Sequence, residues 1–203
     1  MGGLDLAVEG VFNAQPVWFV ELDKNPAKVL SHRYPGVPNF GDVTRVDWNK
    51  VEQVDIITGG SPCQDLSMAG RRAGMTEGTR SNLWVSMKEA IAVIRPRYVV
   101  WENVMGARSA KAYSDVERTE GRVGDTNLRA LGRVLGDLAS LGYDAGWNSV
   151  RASDVGAPHR RERVFVLAWD TQRIDVSRPV FSYGDAWLDY NIGHGNSLKI
   201  ELQ

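Results

Sequence analysis

Val54-Asp55-Ile56-Ile57-Thr58-Gly59-Gly60-Ser61-Pro62-Cys63-Gln64-Asp65-Leu66-Ser67 runs from an apolar segment directly into a loop of small residues. Val54 to Thr58 predicts a short buried strand, and the two glycines predict its end. Cys63, the only cysteine of the chain, follows within the loop. A thiol just past the carboxyl end of a buried strand is where an α/β sheet presents a nucleophile. One crossover later, Tyr98-Val99-Val100-Trp101-Glu102-Asn103-Val104 is a second apolar strand, and it carries a carboxylic acid near its end. The two segments together predict a nucleophile and an acid on neighbouring strand ends.

The rest of the chain alternates in the same way. Val17 to Leu22 predicts a strand, and Pro26 to Tyr34 a helix with proline in its first turn. Ser81 to Ile94 has helical apolar spacing (Leu83, Met87, Ala90, Ile91, Ile94) and stops before Pro96. Arg97 to Trp101 predicts the next strand. Leu128, Leu131, Leu135, Leu138 and Leu141 mark one face of a helix that ends at Gly142. Tyr143 to Val150 and Val164 to Trp169 predict the closing strands, whereas Met105 to Thr126 is polar and predicts a loop. Strand and helix in alternation give the α/β class, a doubly wound and mostly parallel sheet with helices on both faces.

Composition is that of a globular chain, with 43% hydrophobic and 24% charged residues among 203. No apolar run approaches the roughly 20 residues that span a bilayer, so no membrane partner is expected. The N-terminus lacks the basic-then-apolar layout of a signal peptide. One cysteine excludes an internal disulfide and a cysteine-rich zinc site, and a reduced thiol favours the cytoplasm. The formal net charge of -1 argues against a non-specific DNA coater. Local basic clusters persist at Arg71-Arg72 with Arg80, and at His159-Arg160-Arg161 with Arg163.

Each candidate residue has an ordinary alternative. A lone cysteine is commonly a small buried hydrophobe, but Pro62, Gln64 and the flanking glycines make a poor core environment for Cys63. Glu102 is either a salt-bridging group or a functional acid whose burial would let it donate to a heterocycle nitrogen. Glu21 ends the strand Val17 to Leu22, about 20 residues after Gly2-Gly3, the interval at which dinucleotide folds grip ribose hydroxyls. Asp42 falls at the next expected strand end, and the paired acids point to a nucleoside-containing cofactor. Arg161 and Arg163 are alternate residues before Val164, so both guanidinium groups would face the same site.

These elements, in this order, resemble the DNA (cytosine-5)-methyltransferases, over roughly residues 1–169. Pro62-Cys63-Gln64 with Ser67, Gly70, Gly74, Arg80 and Leu83 is similar to the family's nucleophile loop. Glu102-Asn103-Val104 resembles its acid motif and Arg161-Glu162-Arg163 its arginine motif. The resemblance implies a Rossmann-like S-adenosyl-L-methionine-dependent fold. It also implies methyl transfer to C5 of a cytosine flipped out of DNA, with Cys63 adding to C6, Glu102 supporting N3 and Arg163 holding the O2 side. Gly2, Gly3, Leu4, Glu21, Asp42, Val43, Pro62 and Asn196 are its implied S-adenosylmethionine contacts, and Gln64, Ser67 and Arg80 its implied contacts to DNA. It implies no metal, a monomer, and a setting in which a cognate restriction endonuclease is a partner to look for.

Two departures from the family stand out. Members begin with a strand and a Phe-x-Gly-x-Gly-Gly turn, whereas this sequence starts at Met1-Gly2-Gly3. The expectation is a truncated or mis-started chain whose missing central strand leaves its neighbours with unpaired backbone groups. Residues 170–203 are too few for the family's target-recognition domain and are expected to be an irregular remnant, in which Gly195-Asn196-Ser197 faintly resembles the returning segment. Irregularity there is common in phage and mobile-element members. An RNA cytosine-5 methyltransferase and an inactive remnant that binds nucleic acid or cofactor stay open. A cysteine hydrolase would need a base, and His32, His159 and His194 have no convincing context for one.

Overall fold

A computed structural model describes residues 2–60, 83–109 and 129–174, together with the backbone of residues 199–200. The helices are α1 (Gly3–Phe12), α2 (Lys24–Arg33), α3 (Trp84–Ile94) and α4 (Ala130–Ser140). The strands are β1 (Gln15–Pro16), β2 (Ile56–Gly59), β3 (Tyr98–Val104), β4 (Tyr143–Arg151), β5 (Glu162–Asp170) and β6 (Lys199–Ile200). All six strands belong to one sheet in the order β1-β6-β2-β3-β5-β4. β1, β6, β2 and β3 run parallel to one another, and β5 is antiparallel to both β3 and β4.

Side chains alternate across the sheet with period two. Ile56, Tyr98 and Val100 face Val8, Ala14 and Phe12 of the α1 region. Ile57, Val99 and Trp101 face the larger core, built with Trp84, Met87 and Ile91 of α3 and Val134 and Leu138 of α4. Helices on both faces of one sheet give the Rossmann-like α/β architecture expected from the alternation. Trp84 and Trp101 meet edge to face, with centroids 6.2 Å apart, at the centre of the larger core.

Local chemistry sets the element ends. Asp23 caps α2 by accepting from the Asn25 amide at 2.9 Å, so the helix begins two residues before Pro26. Pro26 then sits in the first turn, where its missing N–H costs nothing. α3 ends at Arg95, which takes a left-handed φ of 54° immediately before Pro96. β3 runs three residues further than the expected Arg97 to Trp101, because β5 pairs with it as far as Val104.

Three features differ from expectation. Gly2 to Phe12 is the left-handed N-cap and body of a helix, where the sequence reading assigns only a glycine turn at Gly2-Gly3. The Val17 to Leu22 segment is not a ladder strand: β1 is confined to Gln15–Pro16, just before it, and the segment itself makes only an isolated parallel bridge from Phe19 to Asn39. The position between β1 and β2, expected to be empty, holds the backbone of β6, with Pro16 and Ile56 both paired to Ile200.

Candidate active site

β2 and β3 run side by side in the register Gly59↔Trp101. The next step of that register sets Gly60 against Glu102, both at the carboxyl end of the sheet. A Cβ on Gly60 would lie 2.6 Å from the Glu102 carbonyl oxygen and 3.4 Å from its Oε2. Only glycine fits there, and the segment that leads to Cys63 starts in contact with the acid.

Glu102 is half-buried and pairs with Arg163, whose Nε lies 2.9 Å from Glu102 Oε1. The β3–β5 register explains the pair. Arg163 opposes Val104 and Phe165 opposes Glu102, so the two charged side chains are diagonal neighbours on one face. Arg163 Nη1 also donates to the Glu162 carbonyl at 2.9 Å, which fixes the plane of the guanidinium. Asn103 is buried beside Glu102, and its side-chain oxygen accepts from the Val104 amide at 2.8 Å. Arg161 lies one residue outside β5 with an exposed side chain, and its amide donates to His159 Nδ1 at 3.4 Å. The structure therefore brings Glu102, Arg163 and Gly60 together and leaves Arg161 on the rim.

A second group lies beyond β2. α1 opens at Gly2 with φ 73° and no side-chain cap, so the amides of its first turn have no partner within the helix. Glu21 Oε1 accepts from the Asp23 amide at 2.7 Å. Asn39 ties the two expected ribose-side acids to one rim. Its Oδ1 accepts from the Glu21 and Gly41 amides at 2.8 and 3.1 Å, and its Nδ2 donates to the Glu21 carbonyl at 3.0 Å. Asp42 caps the 3-10 turn Val43–Arg45 by accepting from the Thr44 amide and hydroxyl at 3.0 and 2.7 Å. Those bonds, the hydroxyl's first, hold its carboxyl below the usual carboxylate range, with Arg45 adding to the effect. Val43 packs partly buried against the larger core.

An uncapped glycine turn at a helix head can take a carboxylate, and acids such as Glu21 and Asp42 can accept from ribose hydroxyls. Gly2, Gly3 and Leu4 stand at the helix head, and Glu21, Asp42 and Val43 on the rim. Pro62, Cys63, Gln64, Ser67, Arg80 and Asn196 lie outside the described residues. No local signal marks Asn39 or Gly60 as organising residues. Asn39-Phe40-Gly41 carries only an ordinary turn signal, and Gly60 is one of two adjacent glycines.

This architecture is that of the Rossmann-like methyltransferases. The S. pombe Dnmt2 methyltransferase superposes with a TM-score of 0.61 at 16% identity, covering 83% of this chain and 47% of that one, a likeness of fold. The C-5 cytosine-specific DNA methylase family matches residues 1–185, and the chain belongs to that family. The type II methyltransferase M.NlaIV of Neisseria lactamica is 29% identical over 161 residues, which are 79% of this chain and 36% of that protein. A protein of Escherichia phage P1 named DNA N-6-adenine-methyltransferase is 27% identical over 206 residues, covering 83% of this chain and 27% of its own length. The chain thus spans about a third of the length of the curated relatives it matches.

Proposed function

We propose that this chain transfers a methyl group from S-adenosyl-L-methionine to C5 of a cytosine in DNA through a covalent adduct to Cys63. The observation that carries the proposal is the 2.9 Å pair of Glu102 and Arg163, packed against Gly60 three residues before the cysteine. Membership of the C-5 cytosine family supports the choice of base. The adenine named for the phage P1 relative belongs to a protein of which only about a quarter is matched.

A cytosine flipped from the duplex, at a cost of a few kcal/mol, would enter between these groups. The Cys63 thiolate forms a bond to C6 while Glu102 donates to N3, so the electron pair moves onto C5. Arg163 holds the O2 side of the ring and keeps the Glu102 carboxyl oriented. When bound, the donor would supply an electrophilic methyl group to C5, its S–CH3 bond breaking as the sulfonium becomes the neutral thioether S-adenosylhomocysteine. Transfer of the C5 proton to water then forms the C5–C6 double bond as the S–C6 bond breaks, which restores the aromatic ring and the Cys63 thiolate. Gly2, Gly3 and Leu4 would place the amino-acid end of the donor, and Glu21 and Asp42 the hydroxyls of its ribose. Gln64, Ser67 and Arg80 would contact DNA, Arg161 would reach the flipped base from the rim beside Arg163, and Pro62, Val43 and Asn196 would border the donor.

Transfer of labelled methyl groups to mixed-sequence duplex DNA, with digestion to nucleosides, tests the proposal. Label in 5-methylcytosine is the expected result. Label in N6-methyladenine, or in tRNA but not DNA, would overturn it. Co-expression with neighbouring genes would show whether a restriction endonuclease depends on the modification.

A further inference from the structure

A buried polar link joins the head of α1 to the strand that leads to Cys63. The Thr58 hydroxyl donates to Asp5 Oδ1 at 3.0 Å, and the two residues are 0% and 1% exposed. We infer that Asp5 is a positioning residue for the methyl donor, holding the Gly2–Gly3 turn at a fixed distance from the carboxyl end of β2. The inference rests on the proposed methyl transfer and adds a residue to it.

Thr58 pairs with Val100 and lies on the α1 face of β2, between Ile56 and Gly60. A valine would fill the same volume in a buried strand, so the hydroxyl's contribution is its hydrogen bond. A buried carboxyl is costly without partners, and this one sits in the first turn of α1, three residues after the left-handed Gly2. Asp5 Oδ2 is 3.8 Å, and Arg33 Nη1 3.1 Å, from the point a Gly2 Cβ would occupy. The carboxyl thus lies directly beneath the glycine turn, beside a guanidinium from the last turn of α2. Its charge also reaches Tyr34, whose hydroxyl donates to Glu9 Oε1 at 2.5 Å. Burial, then Glu9, then Asp5 push that phenol upward.

The chain of contacts is therefore turn, Asp5, Thr58, Gly60, Glu102. Each link is a direct contact or a two-residue step along a strand. Displacing a reactant by about 1 Å costs on the order of 10²-fold in rate, so a link of this kind controls turnover without touching the substrate.

The test measures donor affinity by calorimetry, duplex-DNA affinity, and methyl transfer, for the wild type, Thr58→Val, Thr58→Ser, Asp5→Asn and Asp5→Ala. Thr58→Val should weaken donor binding about fivefold to tenfold, the equivalent of one buried hydrogen bond. It should lower the rate and leave DNA affinity unchanged, while Thr58→Ser restores donor binding. Asp5→Ala should exceed Asp5→Asn, and adding Thr58→Val to Asp5→Ala should cost nothing more. Wild-type donor affinity and rate in folded Thr58→Val would overturn the inference even if its melting temperature fell. A wild type that binds donor in a Thr58-dependent way but transfers no methyl group would overturn the catalytic reading and leave this one standing. A wild type that binds no donor would overturn both.

Discussion

Glu102 and Arg163 meet because an antiparallel register sets them diagonally on one face, and Gly60 adjoins them because a parallel register sets it opposite the acid. Replacing Glu102 by Gln keeps the shape but removes the carboxyl that exchanges a proton and its pairing with Arg163. Its turnover should fall by about 10²–10⁴-fold with DNA affinity little changed, as steady-state methyl transfer would read. Loss of less than threefold would show that the acid is structural. At Gly60, an alanine Cβ must displace the Glu102 carbonyl, which is backbone and cannot rotate away. Gly60→Ala should therefore cost about 1–3 kcal/mol in urea unfolding and lower activity as well. A neutral effect on both would show that the strand end moves freely.

At the scale of elements, α3 and α4 are clasped by one carboxylate. Asp137 accepts from Trp84 Nε1 at 2.8 Å and Lys88 Nζ at 2.7 Å, and it lies 3.5 Å from Arg133 Nε. Asp137→Ala should destabilise the fold by about 3–5 kcal/mol, because buried donors lose their acceptor. Denaturant titration checks this, and a loss below 1 kcal/mol would contradict it. These two helices were legible in the sequence because their apolar residues recur with helical period over eleven residues each. α1 was not, since Gly2, Gly3 and Gly10 lower its propensity and the glycine turn dominates its first residues. Strand pairing was only half legible. Hydrophobic runs marked β2, β3 and β5, but nothing local shows that β5 runs antiparallel, or that Phe19 bridges Asn39. Of the candidate site, the acid and one arginine could be named from spacing. Their partnership depended on a register between strands some sixty residues apart, which no local pattern encodes.

In the whole molecule, the sheet formed by the described residues runs from β1 at one edge to β4 at the other, with β6 joining β1 to β2. Ile200→Pro would remove an N–H from that junction. It should weaken donor binding more than it lowers the stability of the β3–β5–β4 side, as hydrogen exchange would resolve strand by strand. Equal protection of β1 in variant and wild type would contradict this. At the opposite end of the sheet, burial pushes the Tyr143 hydroxyl up to about 12, against the pull of Arg95, while its O–H donates to the Pro96 carbonyl at 2.6 Å. The unfolded chain then releases this proton first, near pH 10. Stability is therefore full below that value and falls by about 2–3 kcal/mol as pH rises toward 12. Tyr143→Phe should flatten that alkaline limb of the unfolding curve, and an unchanged limb would place the titration elsewhere.

The central claim is that Cys63 and Glu102 act on one pyrimidine ring beside a bound methyl donor, and covalent trapping tests it most directly. Duplex DNA in which 5-fluorocytosine replaces cytosine is incubated with the chain and S-adenosyl-L-methionine. After methyl transfer the fluorine at C5 cannot leave as a cation, so the S–C6 bond should persist. A denaturation-resistant protein–DNA adduct that needs the donor, maps to Cys63 and is absent from Cys63→Ala is the predicted result. Methylated product without any such adduct, or an adduct formed equally by Cys63→Ala, would contradict it.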